Sequence, residues 1–190
     1  VIGRKSMNFK IFAAKFPDVV VMSPKLHHDD RGCFFESFND REFKDITGRS
    51  VRFVQDNQSK SERSVLRGLH YQVNESQGKL LRVVKGNIFD VVVDLRLSSP
   101  TCGHWFGIEL SATNFRQLWI PEGYAHGFLT LSESAEVLYK TTAYYSPENE
   151  RCISWSDPTL KIEWPNTGRP PILSAKDAAG SSFKEAELFP

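Results

Sequence analysis

The chain lacks any surplus of charge: 24 basic residues against 23 acidic ones give a formal net charge of +1. That excludes bulk binding to nucleic acid or to a membrane through a broad basic face, while leaving room for a local basic pocket that takes a small anion. Cysteine is scarce. Cys33, Cys102 and Cys152 are odd in number, scattered and without CxxC spacing, which excludes a disulfide framework or a zinc knuckle and fits a reduced, cytoplasmic protein. No apolar run nears the length needed to cross a bilayer. Residues 1–6 carry two basic residues with no apolar stretch behind them, so they are not expected to be a secretory signal but an extension ahead of Met7. Internal repeats and low-complexity tracts are missing too.

A metal-ligating pattern is also wanting. His70-Tyr71-Gln72 offers one imidazole where a His-x-His pair would offer two, and the adjacent His27 and His28 point to opposite faces of any strand. Three convergent nitrogen or oxygen ligands are not assembled, and no metal is expected.

What is present is a chain of 190 residues, 40% hydrophobic, long enough for a full core and expected to form one domain. Aromatic and β-branched runs recur from Val19 to Tyr145: Val19–Met22, Cys33–Phe38, Val51–Gln55, Leu80–Val84, Ile88–Leu95, Trp105–Leu110, Arg116–Ile120 and Ala135–Thr142. Turn residues separate them, and Lys85-Gly86-Asn87 predicts a hairpin. Only Asp40–Thr47 reads as helix, with Asn39 or Asp40 as cap and Phe43 and Ile46 three apart. From Trp155 onward Pro, Gly, Asp and Lys predict an irregular C-terminal wrap. The pattern is all-β, a jelly roll or related closed barrel.

Arg67-Gly68-Leu69-His70-Tyr71-Gln72 holds the most chemistry. As a regular strand it would put Arg67, Leu69 and Tyr71 on one face and Gly68, His70 and Gln72 on the other. Taken alone it reads equally as a base beside an anion site and as a hydrogen-bonded core histidine. Pro121–Phe128 brings a second histidine, His126, between glycines that permit close approach, though alone it reads first as structural. In Tyr139–Tyr145 the two outer phenols would share one strand face, an arrangement more often found in cores. Asp177 reads as a solvated acid of the tail, and Asp29–Gly32 as a surface turn.

Together, in order, these segments resemble the dTDP-4-dehydrorhamnose 3,5-epimerase family, cofactor-free sugar epimerases of the cupin superfamily. The matching stretches are Asp29-x-Arg31-Gly32-x-Phe34-x-Glu36-Ser37-Phe38, Phe53-Val54-Gln55-Asp56-Asn57-x-Ser59, Val65–Gln72 and Gln77–Leu80. They continue through Phe89–Arg96, Gln117–Phe128, Glu136–Thr142, Trp155-x-Asp157-Pro158, Ile162–Pro165 and Ile172-Leu173-Ser174-x-Lys176-Asp177, so the resemblance spans roughly residues 10–177.

The resemblance implies a cupin-type jelly roll (double-stranded β-helix) and proton abstraction without cofactor or metal. It implies that His70 is the general base, Asp177 its partner carboxylate and Tyr139 the acid on the opposite sugar face. Arg67 and Lys79 become the cations near diphosphate and keto oxygen, with His126 lining the same pocket. Gln55 and Asn57 resemble the nucleotide-contacting pair, and Tyr145 the aromatic beside thymidine. Arg31 and Glu36 resemble residues lent by a second subunit, which implies a homodimer with exchanged N-terminal strands. The substrate implied is a dTDP-4-keto-6-deoxy sugar. The chain departs from the pattern at His27-His28, where many relatives carry an aromatic and a glycine. Single inversion at C3, a non-catalytic nucleotide-sugar-binding cupin, and a metal-dependent dioxygenase or isomerase are the rival readings.

Overall fold

The computed structural model describes residues 8–190; the expected extension at 1–6 lies outside them. The chain enters through β1 (Phe9–Phe12) and β2 (Val20–Pro24), followed by a small hairpin, β3 (His27–Asp29) and β4 (Gly32–Phe34). Helix α1 (Asp40–Thr47) starts where the side chain of Asn39 accepts hydrogen bonds from the backbone N–H groups of Arg41 and Glu42, and stops at Gly48 in the left-handed conformation. Then come β5 (Gln55–Glu62), β6 (Leu66–Gln72), β7 (Lys79–Lys85), β8 (Asn87–Asp94), β9 (Trp105–Ser111), β10 (Gln117–Ile120), β11 (Tyr124–Thr130), β12 (Ser134–Thr141) and β13 (Glu150–Cys152). A single-turn helix, α2 (Ala175–Ala178), sits in the C-terminal wrap.

The strands form two larger antiparallel sheets. One has the order β1-β2-β10-β7-β12-β5 and the other β13-β6-β11-β8-β9. Between them Val21, Leu81, Leu118 and Val137 of the first meet Ile88, Val92, Leu110 and Phe128 of the second. Each outer face is covered in turn. Helix α1 lays Phe43 edge-on against Trp119, with ring centroids 5.0 Å apart, and the wrap sets Leu160, Trp164, Phe183 and Phe189 over Leu69, Tyr71, Val91 and Val93. Fully burying a side chain such as Phe43 contributes about 1.5–3 kcal/mol. This is the expected all-β jelly-roll architecture.

Three local expectations are corrected. Lys85-Gly86-Asn87 does not close a hairpin, because β7 and β8 belong to different sheets. Gly86, at φ 72°, turns the chain across the sandwich, and a glycine turn between two apolar runs looks the same locally whether its strands pair or part. Of the run Cys33–Phe38 only the first two residues are strand; Phe38 instead packs on Phe43 and Phe53. Val51–Val54 is likewise irregular, and Phe53 lies against Trp119 beneath α1. The strand begins only at Gln55 and runs through the wholly polar QDNQSKSE. Its residues alternate between half-buried and exposed without alternating in hydropathy, so a period-two hydrophobic signal does not exist there.

Candidate active site

A cavity of about 370 Å³ opens between the two sheets. β5, β7 and β12 contribute from one side, and β6, β11 and β13 from the other. The polar strand β5 turns Gln55, Asn57 and Ser59 into it.

β6 departs from the regular alternation predicted for it. His70 pairs with His126 of β11, but Arg67 pairs with Phe128, so three steps along β6 match two along β11. This bulge inverts the parity, and Arg67 and His70 line the same cavity although regular pleating would set them on opposite faces. Gly68 permits it, with φ 124° and the backbone of Gly127 so near that a Cβ would stand 2.5 Å from the Gly127 Cα.

The solvated role expected of Asp177 from local sequence is also corrected, for it is 4% exposed. Ser174 caps α2 by accepting from the Asp177 N–H at 3.1 Å and donates its hydroxyl to Asp177 Oδ2 at 2.6 Å. The other carboxylate oxygen meets His70 Nε2 at 2.6 Å and accepts from the Gly68 N–H at 3.2 Å. Burial pushes the carboxyl upward, but the hydrogen bonds from His70 and Ser174 outweigh it and hold the group well below the usual carboxylate range. An ionised Asp177 makes Nε2 the protonated ring nitrogen, which leaves the lone pair on Nδ1. The Ser174-x-x-Asp177 capping box was the sequence signal for this turn.

Lys79 is 9% exposed. Its Nζ has a long contact of 3.4 Å to the His70 carbonyl, and desolvation lowers its pKa to about 8 against the pull of Glu150 and Asp90. Tyr139 lines the cavity from the opposite sheet to His70, its phenol pushed up chiefly by burial while Arg67 draws it down. Arg67 is anchored by Nε to Ser61 Oγ at 3.0 Å. His126 Nε2 lies 2.9 Å from Asp90 Oδ2. Burial raises the Asp90 carboxyl, and the His126 imidazole opposes the rise.

Gln55 Nε2 donates to Asn57 Oδ1 at 2.8 Å, and Gln55 Oε1 accepts from the Tyr145 N–H at 3.0 Å. Tyr145 does reach the cavity beside Tyr139, though not by shared strand alternation: β12 ends at Thr141, whose hydroxyl donates to the Ala143 carbonyl and begins a turn. Arg31 and Glu36 do not join the cavity within one chain. Arg31 pairs with Asp29 on the exposed β3–β4 hairpin, where His27 and His28 also lie.

Sequence reasoning missed four neighbours of the site. Glu150 accepts from Lys176 Nζ and from the Tyr145 hydroxyl, both at 2.8 Å. Asp90 is fully buried behind His126; an acid inside the apolar run Phe89–Val93 demands a partner and was the available signal. Cys152 pairs with His70 across β13 and β6, so that its thiol, the imidazole and Asp177 bring donor atoms within 4.8 Å of one another. The expectation that three ligands do not converge held only nitrogen and oxygen in view; the sulfur of Cys152 completes this set.

The chain has close counterparts. The family model described as dTDP-4-dehydrorhamnose 3,5-epimerase matches residues 13–185. The dTDP-4-dehydrorhamnose 3,5-epimerase of Pseudomonas aeruginosa is 58% identical over 174 residues, covering 92% of this chain and 96% of the relative. Among solved structures, the 3,5-epimerase of Legionella pneumophila in complex with dTDP-4-keto-L-rhamnose superposes with a TM-score of 0.91 at 47% identity, over 94% of this chain and 95% of that one. A 3'-monoepimerase from Streptomyces bikiniensis in complex with dTDP-quinovose shares the fold at a TM-score of 0.83 but only 32% identity, over 88% and 84%. A match over nearly the full chain, at identities that fall from the double to the single epimerase, means that this chain belongs to the dTDP-4-dehydrorhamnose 3,5-epimerase family.

Proposed function

We propose that the chain inverts C3 and C5 of dTDP-4-dehydro-6-deoxy-D-glucose to give dTDP-4-dehydro-β-L-rhamnose, by proton removal and return without a cofactor. The observation that carries this reading is the buried Asp177 carboxyl held 2.6 Å from the cavity-lining His70. Protons at C3 and C5 are acidic because both carbons flank the C4 carbonyl. His70 Nδ1 takes the proton, and Asp177 stabilises the imidazolium through Nε2–H, an arrangement typical of general bases that contribute about 10²–10⁴-fold. Negative charge then moves to O4, where Lys79 is the buried cation; losing such a preorganised donor costs about 2.7–4 kcal/mol of barrier. Tyr139, which keeps its proton because it is buried, returns one from the other sheet, and Arg67 eases the tyrosinate that results. Each inversion thus leaves imidazolium and tyrosinate, reset by exchange with solvent before the second.

Arg67, Gln55, Asn57 and Tyr145 suit the nucleoside diphosphate end, and His126 the sugar. Arg31 and Glu36 serve the site of a second copy, in a homodimer with exchanged N-terminal strands. The whole chain acts as one domain. Among the described residues no helix is long and apolar enough to cross a membrane, and the three cysteines are free, which supports a cytoplasmic setting.

Proton NMR of the 4-keto substrate in deuterated water tests the proposal. The expected product carries deuterium at both C3 and C5, so both proton signals vanish, and in His70→Ala or Asp177→Ala both persist. Label at C3 alone would make the chain a single-centre epimerase, and full exchange in the His70 variant would remove it as base. Tyr139→Phe should retain exchange better than net inversion; equal loss of both would end its role as donor.

A further inference from the structure

We infer that Cys152, His70 and Asp177 form an inhibitory binding site for a thiophilic divalent cation, Zn²⁺, set directly on the proton-abstracting pair. The proposed reaction leaves Cys152 without a task, yet the β13–β6 register sets it opposite His70. Sγ makes one weak contact, 3.7 Å to the Ile153 carbonyl. Among the described residues, no other three His, Cys, Asp or Glu side chains bring donor atoms so close together.

Nitrogen, carboxylate oxygen and sulfur form a zinc donor set, and three protein ligands leave the fourth position for water from the open cavity. Bond lengths of about 2.0 Å to nitrogen and oxygen and 2.3 Å to sulfur require the thiol to approach and the His70–Asp177 contact to widen, each by well under the length of a side chain. Charge favours occupancy. The carboxylate and a thiolate neutralise the dication, and Lys176, the cation that faces Asp177 and Cys152, is already paired with Glu150 at 2.8 Å.

Binding releases one proton, from the Cys152 thiol to solvent, with no change of oxidation state. If the metal takes Nε2, the ring proton must move to Nδ1, and the lone pair that would attack C3 or C5 disappears. Asp177 lies on the Nε2 side of the ring at 2.6 Å, so Nε2 is the ligating nitrogen. The base is thereby silenced, a consequence that rests on the epimerase reading; the binding site itself does not.

Cobalt(II) titration of the purified full chain, free of substrate, reads the site without activity. The expected result is a sulfur-to-cobalt charge-transfer band in the near ultraviolet that is lost in Cys152→Ala and kept in Cys33→Ser. Cys152→Ser replaces the alanine variant if circular dichroism shows that one unfolded. In parallel, Zn²⁺ should inhibit solvent exchange into the substrate and chelator should restore it. Cys152→Ala should keep the basal rate while its half-inhibiting zinc concentration rises about tenfold or more, the scale of lost metal-site support. No sulfur band in the parent chain, a band surviving Cys152→Ala, or one lost in Cys33→Ser would overturn the site. A cobalt band with no deuterium exchange under any condition would instead count against the epimerase reading alone.

Discussion

Lys79 is the residue at which stability and activity pull apart. Its ordinary pKa is about 10.4, and burial brings it to about 8 in the folded chain. Between those two values the unfolded chain holds a proton that the folded chain has lost, so this group's contribution to stability rises with pH across that window. Catalysis runs the other way, because an enolate at O4 needs the charged ammonium. We therefore expect kcat/KM to fall above about pH 8, whereas the limb in kcat lies higher, since a bound diphosphate favours the charged lysine. Lys79→Met should remove turnover yet raise stability at pH 7 by about 1–3 kcal/mol, as replacing buried charge with matched apolar volume does. Parallel pH–rate profiles and thermal melts check this; a lysine variant less stable than the parent would show that the ammonium is well accommodated. Legibility at this scale was uneven. His70 and Lys79 stand inside conspicuous segments, whereas Asp177 gains its partner only when chain 107 residues away folds over β6, a closure no local pattern encodes.

The bulge between β6 and β11 is the element that makes the site. Regular pleating would have separated Arg67 from His70, and the extra residue on β6 brings them to one cavity. Gly68→Ala puts a Cβ 2.5 Å from the Gly127 Cα and 2.8 Å from the His126 carbonyl, at a φ of 124° that a β-carbon resists. The expected cost is about 2 kcal/mol or more, with a loss of exchange activity larger than the loss of folded protein, because relieving the clash moves Arg67 and His70 apart. Denaturant melts beside the deuterium assay measure both, and an alanine variant with parental melting and activity would refute the bulge as the positioning device. The apolar strands were readable from their period and α1 from its cap. β5 was not, because a strand that lines a polar cavity on one side and meets solvent on the other has no hydrophobic alternation. The turn at Gly86 is ambiguous in sequence for a different reason, since pairing is decided by the sheets and not by the turn.

Across the whole molecule, the β3–β4 hairpin is the part that one copy leaves unexplained. All six of its strand residues are exposed, Phe34 is 74% exposed, and the hairpin joins neither larger sheet. In the proposed homodimer this hairpin, with Phe34 on it, is the arm that the second copy would receive. Glu36 lies two residues further on, with one carboxylate oxygen buried and unpartnered. A second copy that received this arm would explain why Arg31 and Glu36 match the family's site pattern yet stand outside the cavity of their own chain. Sedimentation should then find a dimer, and Phe34→Ser should shift it toward monomer. Arg31→Ala should leave the dimer intact but raise KM for the nucleotide sugar, with kcat reduced less, because the arm would bind substrate and not move protons. The decisive experiment mixes Arg31→Ala chains with His70→Ala chains. If the arm acts in the neighbour's cavity, a mixed dimer pairs an intact base with an intact arm in one of its two sites, and an equimolar, freely exchanging mixture returns toward about a quarter of the parental activity with low KM, since half of its dimers are mixed. If the arm serves its own chain, every site in the mixture lacks one component and low-KM turnover stays absent.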